Sequence, residues 1–153
     1  MQDLDTTDKK ILLALQHNAR ITNKELSNML GLTITPVYER VKKLERLGYI
    51  KKYTAILDNE KLEQGLIVFL HIKLQMHSNK NIVQLMREVS ELEEVMECYH
   101  ITGETDYLMK VMIKDMKLYE NFVVEKLAKI PGIANINSSI VMSTIKHKTE
   151  LNL

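Results

Sequence analysis

The stretch TNKELSNMLGLTITPVYERVKKLERLGYIKKY, Thr22 to Tyr53, decides the reading of this chain. It predicts a helix, a tight turn, a second helix and a basic strand. Thr22 and Glu25 stand at the spacing of a capping box: the hydroxyl takes the N–H of Glu25, and the carboxylate reaches back to the N–H of Thr22. Ile21 and Leu26 flank that cap as a hydrophobic staple. Leu26, Met29 and Leu30 form an apolar stripe, and Gly31 stands where a left-handed residue would end the helix. The second helix begins between Thr33 and Thr35. Thr33 can cap it, whereas Pro36 restricts Thr35 away from helical angles and itself suits a first helical position. Val37, Val41 and Leu44 point inward, which leaves Thr35, Tyr38, Glu39, Lys42, Lys43 and Arg46 outward until Gly48 stops the helix. Hydroxyls, an aromatic ring and cations on one exposed face suit a major groove.

Charge points the same way. Between Arg40 and Lys52 lie Arg40, Lys42, Lys43, Arg46, Lys51 and Lys52 against one acid, Glu45, while the whole chain carries a formal net charge of only +1. Such a stripe would neutralise phosphates, with affinity falling as salt rises. A solvated helix face is the ordinary alternative, but here the charge coincides with a helix-turn-helix outline, which favours DNA binding. The candidate contacts are Thr33, Thr35, Pro36, Tyr38, Glu39, Arg40, Lys42, Lys43 and Arg46, with Lys51 and Lys52 touching phosphate rather than bases. Glu39 is the odd acid on this face. It either pairs with Lys42 or Lys43 or accepts from a cytosine N4 amine.

Upstream, Leu4 to Gln16 predicts a bracing helix with Asp5 as cap, Asp8 in the first turn, and Ile11, Leu12 and Leu15 facing inward. Downstream, Tyr49 to Leu57 is rich in aromatic and β-branched residues and predicts a strand serving as wing or tether. The polar run Asp58 to Gly65 predicts a boundary. The organisation expected is therefore a winged helix-turn-helix over 1–50, a hinge strand and linker over 51–65, and a second domain over 66–153.

That second domain alternates strand and helix patterns. Leu66 to Met76 places Val68, Leu70, Ile72 and Leu74 on one face and Phe69, His71, Lys73 and Gln75 on the other. A helix over Asn79 to Ser90, strands over Val95 to Thr102 and Tyr107 to Ile113, a helix over Met116 to Lys129 and a strand over Ile133 to Met142 complete a β-α-β-β-α-β order. This is the ferredoxin-like arrangement, so the fold class is α+β. Helices would cover one sheet face only, and a second copy of the chain is the simplest cover for the other, giving a two-fold dimer with two recognition helices.

Composition bounds the remaining possibilities. With 153 residues and 45% hydrophobic content, the chain can bury a sizeable core. No apolar run approaches the roughly 20 residues of a membrane span, and the acids of MQDLDTTDKK do not suit a signal peptide, so a cytoplasmic protein is expected. Cys98 reads as a small apolar strand residue, and the nine methionines as core filling. Glycine-rich phosphate loops, Cys-x-x-Cys or His-x-x-x-His pairs and a nucleophile context are all missing from the sequence, so no cofactor, metal or catalytic activity is expected.

Four segments together resemble the Lrp/AsnC, or feast/famine, family of transcription factors: LDTTDKKIL (Leu4 to Leu12), Asn18 to Leu57, CYHITGETDYLMKV (Cys98 to Val111) and KIPGIANINSSIVM (Lys129 to Met142). The resemblance runs in the family's order over nearly the full length. It implies a DNA-binding regulator whose C-terminal domain senses a small effector, usually an amino acid, and builds dimers that associate further, often to octamers. It also implies that the effector sits between subunits beside the loop Thr102, Gly103, Glu104, Thr105 and Asp106. Gly103 would let backbone N–H groups approach a carboxylate, and Asp106 would take an α-ammonium. Ser138, at a hydroxyl position of the family, would complete the site from another protomer, with Ser139 a weaker candidate and Tyr99 approaching from its strand. Without the resemblance, the same loop reads as a hairpin whose Gly satisfies backbone angles and whose Asp caps the turn. Two other functions fit parts of the pattern. One is an effector-independent protein that wraps DNA; the other is an enzyme like the haem-pathway decarboxylases of similar fold, which keep a degenerate helix-turn-helix.

Overall fold

The computed structural model describes residues 3–75 and 79–153, with the side chains of 79–81 excepted. Its residues fall into two compact units, 1–56 together with 146–153, and 57–145. The chain thus enters the first unit, leaves it for the second, and returns.

The first unit holds α1 (Thr6–His17), α2 (Asn23–Leu30) and α3 (Ile34–Arg46). Asp5 caps α1 by accepting the N–H of Asp8 at 2.7 Å. Thr22 caps α2 with both halves of the predicted box: its hydroxyl takes the N–H of Glu25, and Glu25 takes the N–H of Thr22 at 2.7 Å. Gly31 closes α2 at φ +66°, a left-handed angle that glycine adopts without a steric cost. Thr33 precedes α3 without a side-chain cap, and Pro36 sits in the first turn, where its missing N–H has no helical partner to lose. Ile11, Leu12, Leu26, Val37, Val41 and Leu44 form the core, with Ile21, Tyr49 and Ile50 packed around it. Each fully buried aliphatic side chain contributes about 1.5–3 kcal/mol.

One expected element is missing. Residues 51–57 form no strand. A strand exists only where a neighbouring backbone takes its polar groups, and among the described residues nothing pairs with this segment. Tyr49 and Ile50 instead donate their N–H groups to the Leu44 carbonyl and close the end of α3.

The second unit holds β1 (Leu66–Leu74), α4 (Asn79–Ser90), β2 (Val95–His100), β3 (Tyr107–Ile113), α5 (Met116–Asn121) and β4 (Ile133–Ile140). The sheet is antiparallel, in the order β2-β3-β1-β4. α5 continues through a wide π turn (Phe122–Lys126) and a 3-10 turn (Leu127–Lys129), which leaves both Phe122 and Leu127 buried. The helices cover one face, where Val68, Leu70 and Ile72 align with Val111, Met109 and Tyr107 over a core shared with Leu85 and Phe122. The opposite face carries Ile67, Phe69 and His71 aligned with Met112, Lys110 and Leu108. The strands end slightly earlier than alternation alone predicts, β2 at His100 and β4 at Ile140. The expected end of β1 at Met76 lies outside the described residues. Cys98 is an exposed edge-strand residue rather than an apolar core one.

Candidate nucleic-acid interface and effector site

The face of α3 turned from the core exposes Thr35, Pro36, Tyr38, Glu39, Lys42 and Arg46, with Thr33 just before it. Val37, Val41 and Leu44 hold the opposite side down. The DNA-contact candidates therefore share one surface, but their cations are not equivalent. Arg40 donates from Nη1 to Asp5 Oδ2 at 2.5 Å and to Asp8 Oδ1 at 2.6 Å. Lys43 donates to Asp8 Oδ2 at 3.2 Å. The Asp8 side chain is only 1% exposed, so both cations are held by a buried carboxylate on α1. The Arg40 contacts raise its pKa, the Asp5 hydrogen bond first. Asp5 is lowered, most by the Asp8 N–H and then by Arg40.

Lys42 pairs with Glu45 at 2.8 Å and lies 5.8 Å from the Tyr38 ring centre. The Glu45 bond raises Lys42, and Lys42 with Tyr53 lowers Glu45. Tyr53 donates to Glu45 Oε1 at 3.0 Å, and burial, then this carboxylate, push its hydroxyl up to about 12. The expected pairing of Glu39 does not form. Lys42 is drawn three positions on to Glu45 and Lys43 across to Asp8, which leaves Glu39 outside every ion pair among the described residues and presented to a groove. Arg46, Lys51 and Lys52 are exposed cations and likewise form no ion pair among the described residues. The role of Asp8 was not read from the sequence. Its signal was present, because Asp5 and Asp8 stand three apart on one helix and Arg40 and Lys43 three apart on another.

In the second unit, the loop after β2 runs Ile101 to Asp106. The Ile101 N–H bonds to the Asp106 carbonyl at 2.9 Å, and Gly103 takes φ +126°, which favours glycine. Thr102, Gly103 and Glu104 are exposed, Thr105 and Asp106 half-buried. Asp106 fastens this hairpin to the end of β1: its N–H bonds to Ile72 O at 2.9 Å, and its Oδ2 accepts the Leu74 N–H at 2.7 Å. Ser138 and Ser139 point to opposite sides of the sheet. Ser138 aligns with Leu70 on the helix-covered side and shares a hydrogen bond with the Tyr119 hydroxyl. Ser139 aligns with Phe69 on the open side, the side that also carries Tyr99, aligned with Leu108. Tyr99 donates to Glu97 at 2.6 Å, and this bond and the charge of Glu97 raise its hydroxyl. The hairpin and Ser138 thus lie at separate places on one chain.

Comparison with known proteins follows these two units. Residues 67–151 match the model for the Lrp/AsnC ligand binding domain, and residues 4–51 that for a winged helix-turn-helix DNA-binding domain. Leucine-responsive regulatory proteins of Salmonella typhimurium and Escherichia coli are 39% identical over 150 residues, spanning 98% of this chain and 92% of theirs. Among solved structures, a transcriptional regulator from Neisseria meningitidis in complex with L-Met is 37% identical with a TM-score of 0.93, covering 98% of this chain and 97% of that one. AsnC of Escherichia coli is 26% identical with a TM-score of 0.90, covering 97% and 99% respectively.

Proposed function

Because this chain belongs to the Lrp/AsnC family of DNA-binding regulators with an amino-acid ligand-binding domain, we propose that an amino acid bound between its subunits controls its assembly or its hold on DNA. The observation that carries this reading is the Asp106 hairpin. A glycine at φ +126° and a carboxylate fixed by backbone bonds form a pre-set cradle for an ammonium and a carboxylate. Thr102, Gly103, Glu104, Thr105 and Asp106 supply that cradle, and Ser138 comes from another protomer, since on one chain it lies apart from the loop. Tyr99 and Ser139, on the open sheet face, are then neighbours of the subunit contact rather than the ligand's main partners.

Copies associate through the open face around Phe69 and Leu108, and dimers gather to octamers. Residues 51–65 act as the hinge between DNA-reading and sensing parts, and the segment without a strand partner in one chain finds one in a second copy. Thr33, Thr35, Pro36, Tyr38 and Glu39 read the groove. The protein works in the cytoplasm, on double-stranded DNA, and catalyses no reaction.

Thermal unfolding against the twenty amino acids at millimolar concentration tests this. A ligand at about 100 times its Kd adds roughly 2.7 kcal/mol. Leucine and methionine come first, since the named relatives include leucine-responsive proteins and a methionine complex. Silence from all twenty would favour the effector-independent, DNA-wrapping reading.

A further inference from the structure

We infer that Asp8 is a positioning residue of the DNA interface: it withdraws Arg40 and Lys43 from the phosphates and leaves Arg46, Lys51 and Lys52 to neutralise them. The inference rests on the reading of α3 as the DNA-facing helix. Both oxygens of the Asp8 carboxylate are occupied, Oδ1 by Arg40 at 2.6 Å and Oδ2 by Lys43 at 3.2 Å, and Asp5 takes a second bond from the same Arg40 nitrogen. Asp8 is 0% exposed. A buried carboxylate is tolerated only while it is paired, so a phosphate that drew either cation away would leave a charge without a partner in a dry place. The phosphate has no such obstacle at Arg46, Lys51 or Lys52, which are exposed and outside any ion pair among the described residues.

The arrangement also does what apolar packing cannot. Val37, Val41 and Leu44 press α3 onto the core, but hydrophobic contact is non-directional. Two acids three apart on α1, matched to two cations three apart on α3, admit one rotation of α3 about its axis. That rotation determines which side chains face a groove. Lys42 belongs to neither set: its bond to Glu45 is exposed, so it can exchange Glu45 for a phosphate.

The test is the salt dependence of binding to a fluorescein-labelled mixed-sequence duplex of about 40 base pairs, long enough for two half-sites. Each lost phosphate contact lowers the slope of log K against log salt by about 0.9. Arg46→Gln and Lys52→Gln are each expected to lower it by that amount, while Arg40→Gln and Lys43→Gln leave it unchanged. Asp8→Asn releases both cations and is expected to raise the slope, whereas Asp8→Glu restores the parent value. A fall with Lys43→Gln equal to that of Lys52→Gln would overturn the inference. Should Asp8→Asn fail to fold, Lys43→Gln decides alone, because Lys43 is a third exposed and its loss leaves the bond from Asp8 to Arg40 in place. No change from Arg46→Gln and Lys52→Gln would instead defeat the placement of DNA on α3.

Discussion

The carboxylate of Asp106 accepts the backbone N–H of Leu74 at 2.7 Å, so the residue proposed to hold an effector also fastens the β2–β3 hairpin to the end of β1. Substitutions separate the two roles. Asp106→Asn keeps an oxygen for Leu74 while removing the charge, and should abolish amino-acid stabilisation with little effect on the unliganded protein. Asp106→Ala leaves the Leu74 N–H without its partner and should in addition cost about 1–3 kcal/mol. Full ligand-induced stabilisation of the Asn variant in a thermal melt would remove Asp106 from the site.

The capping box makes a smaller, local prediction. Thr22→Ala removes the acceptor for the Glu25 N–H and should destabilise the helical unit by about 1 kcal/mol, while Thr22→Ser should cost only a few tenths. Denaturant midpoints of the two variants, compared at equal m, decide it; equal midpoints would mean that the box does not stabilise α2.

Acid should weaken the same unit. Asp5, Glu25 and Glu45 are all lowered from their ordinary 3.8, 4.5 and 4.5, chiefly by the Asp8 N–H, the Thr22 N–H and Lys42. Groups depressed in the folded state contribute stability above their ordinary pKa and lose it as pH falls through the folded value. Stability should therefore hold near neutrality and decline below about pH 4.5, less steeply in the Asp5→Asn, Glu25→Gln double variant. A decline as steep as the parent's would place the responsible carboxylates elsewhere.

Gln16 makes two bonds to one residue: its Oε1 accepts the Leu151 N–H at 2.7 Å and its Nε2 donates to the Leu151 carbonyl at 3.2 Å. This pairing holds the returning segment beside an apolar groove of about 510 Å³ lined by Leu4, Leu12, Leu15, Tyr49 and Ile50. Gln16→Ala should accelerate amide exchange at Leu151 while leaving α2 and α3 protected. Unchanged exchange at Leu151 would show that the groove, not Gln16, holds the segment.

What was legible in the sequence was local. The Thr22–Glu25 box, the Gly31 stop and the period-two face of β1 depend on residues within four positions of one another, and each appears as read. What was not legible needs a distant partner. The 49–57 stretch has strand composition but no neighbouring strand, and the cations of α3 look alike until α1 supplies a buried acid 32 and 35 positions away. Ser138 and Ser139 are equivalent hydroxyls in the chain, and only their alignment with Leu70 and Phe69 assigns them to different sides of the sheet.

The bond between Gln16 and Leu151 spans 135 positions, and this separation has a consequence in time. The three helices that read DNA can pack once residue 50 has left the ribosome, but the groove beside them gains its Leu151 wall only about 100 residues later, some five to twenty seconds at ordinary elongation rates. Throughout that interval the nascent helical unit shows water an apolar furrow beside Leu12 and Leu15. The newborn chain therefore passes through a stage in which it can bind DNA before it is fully built, and in which another nascent copy can occupy the furrow.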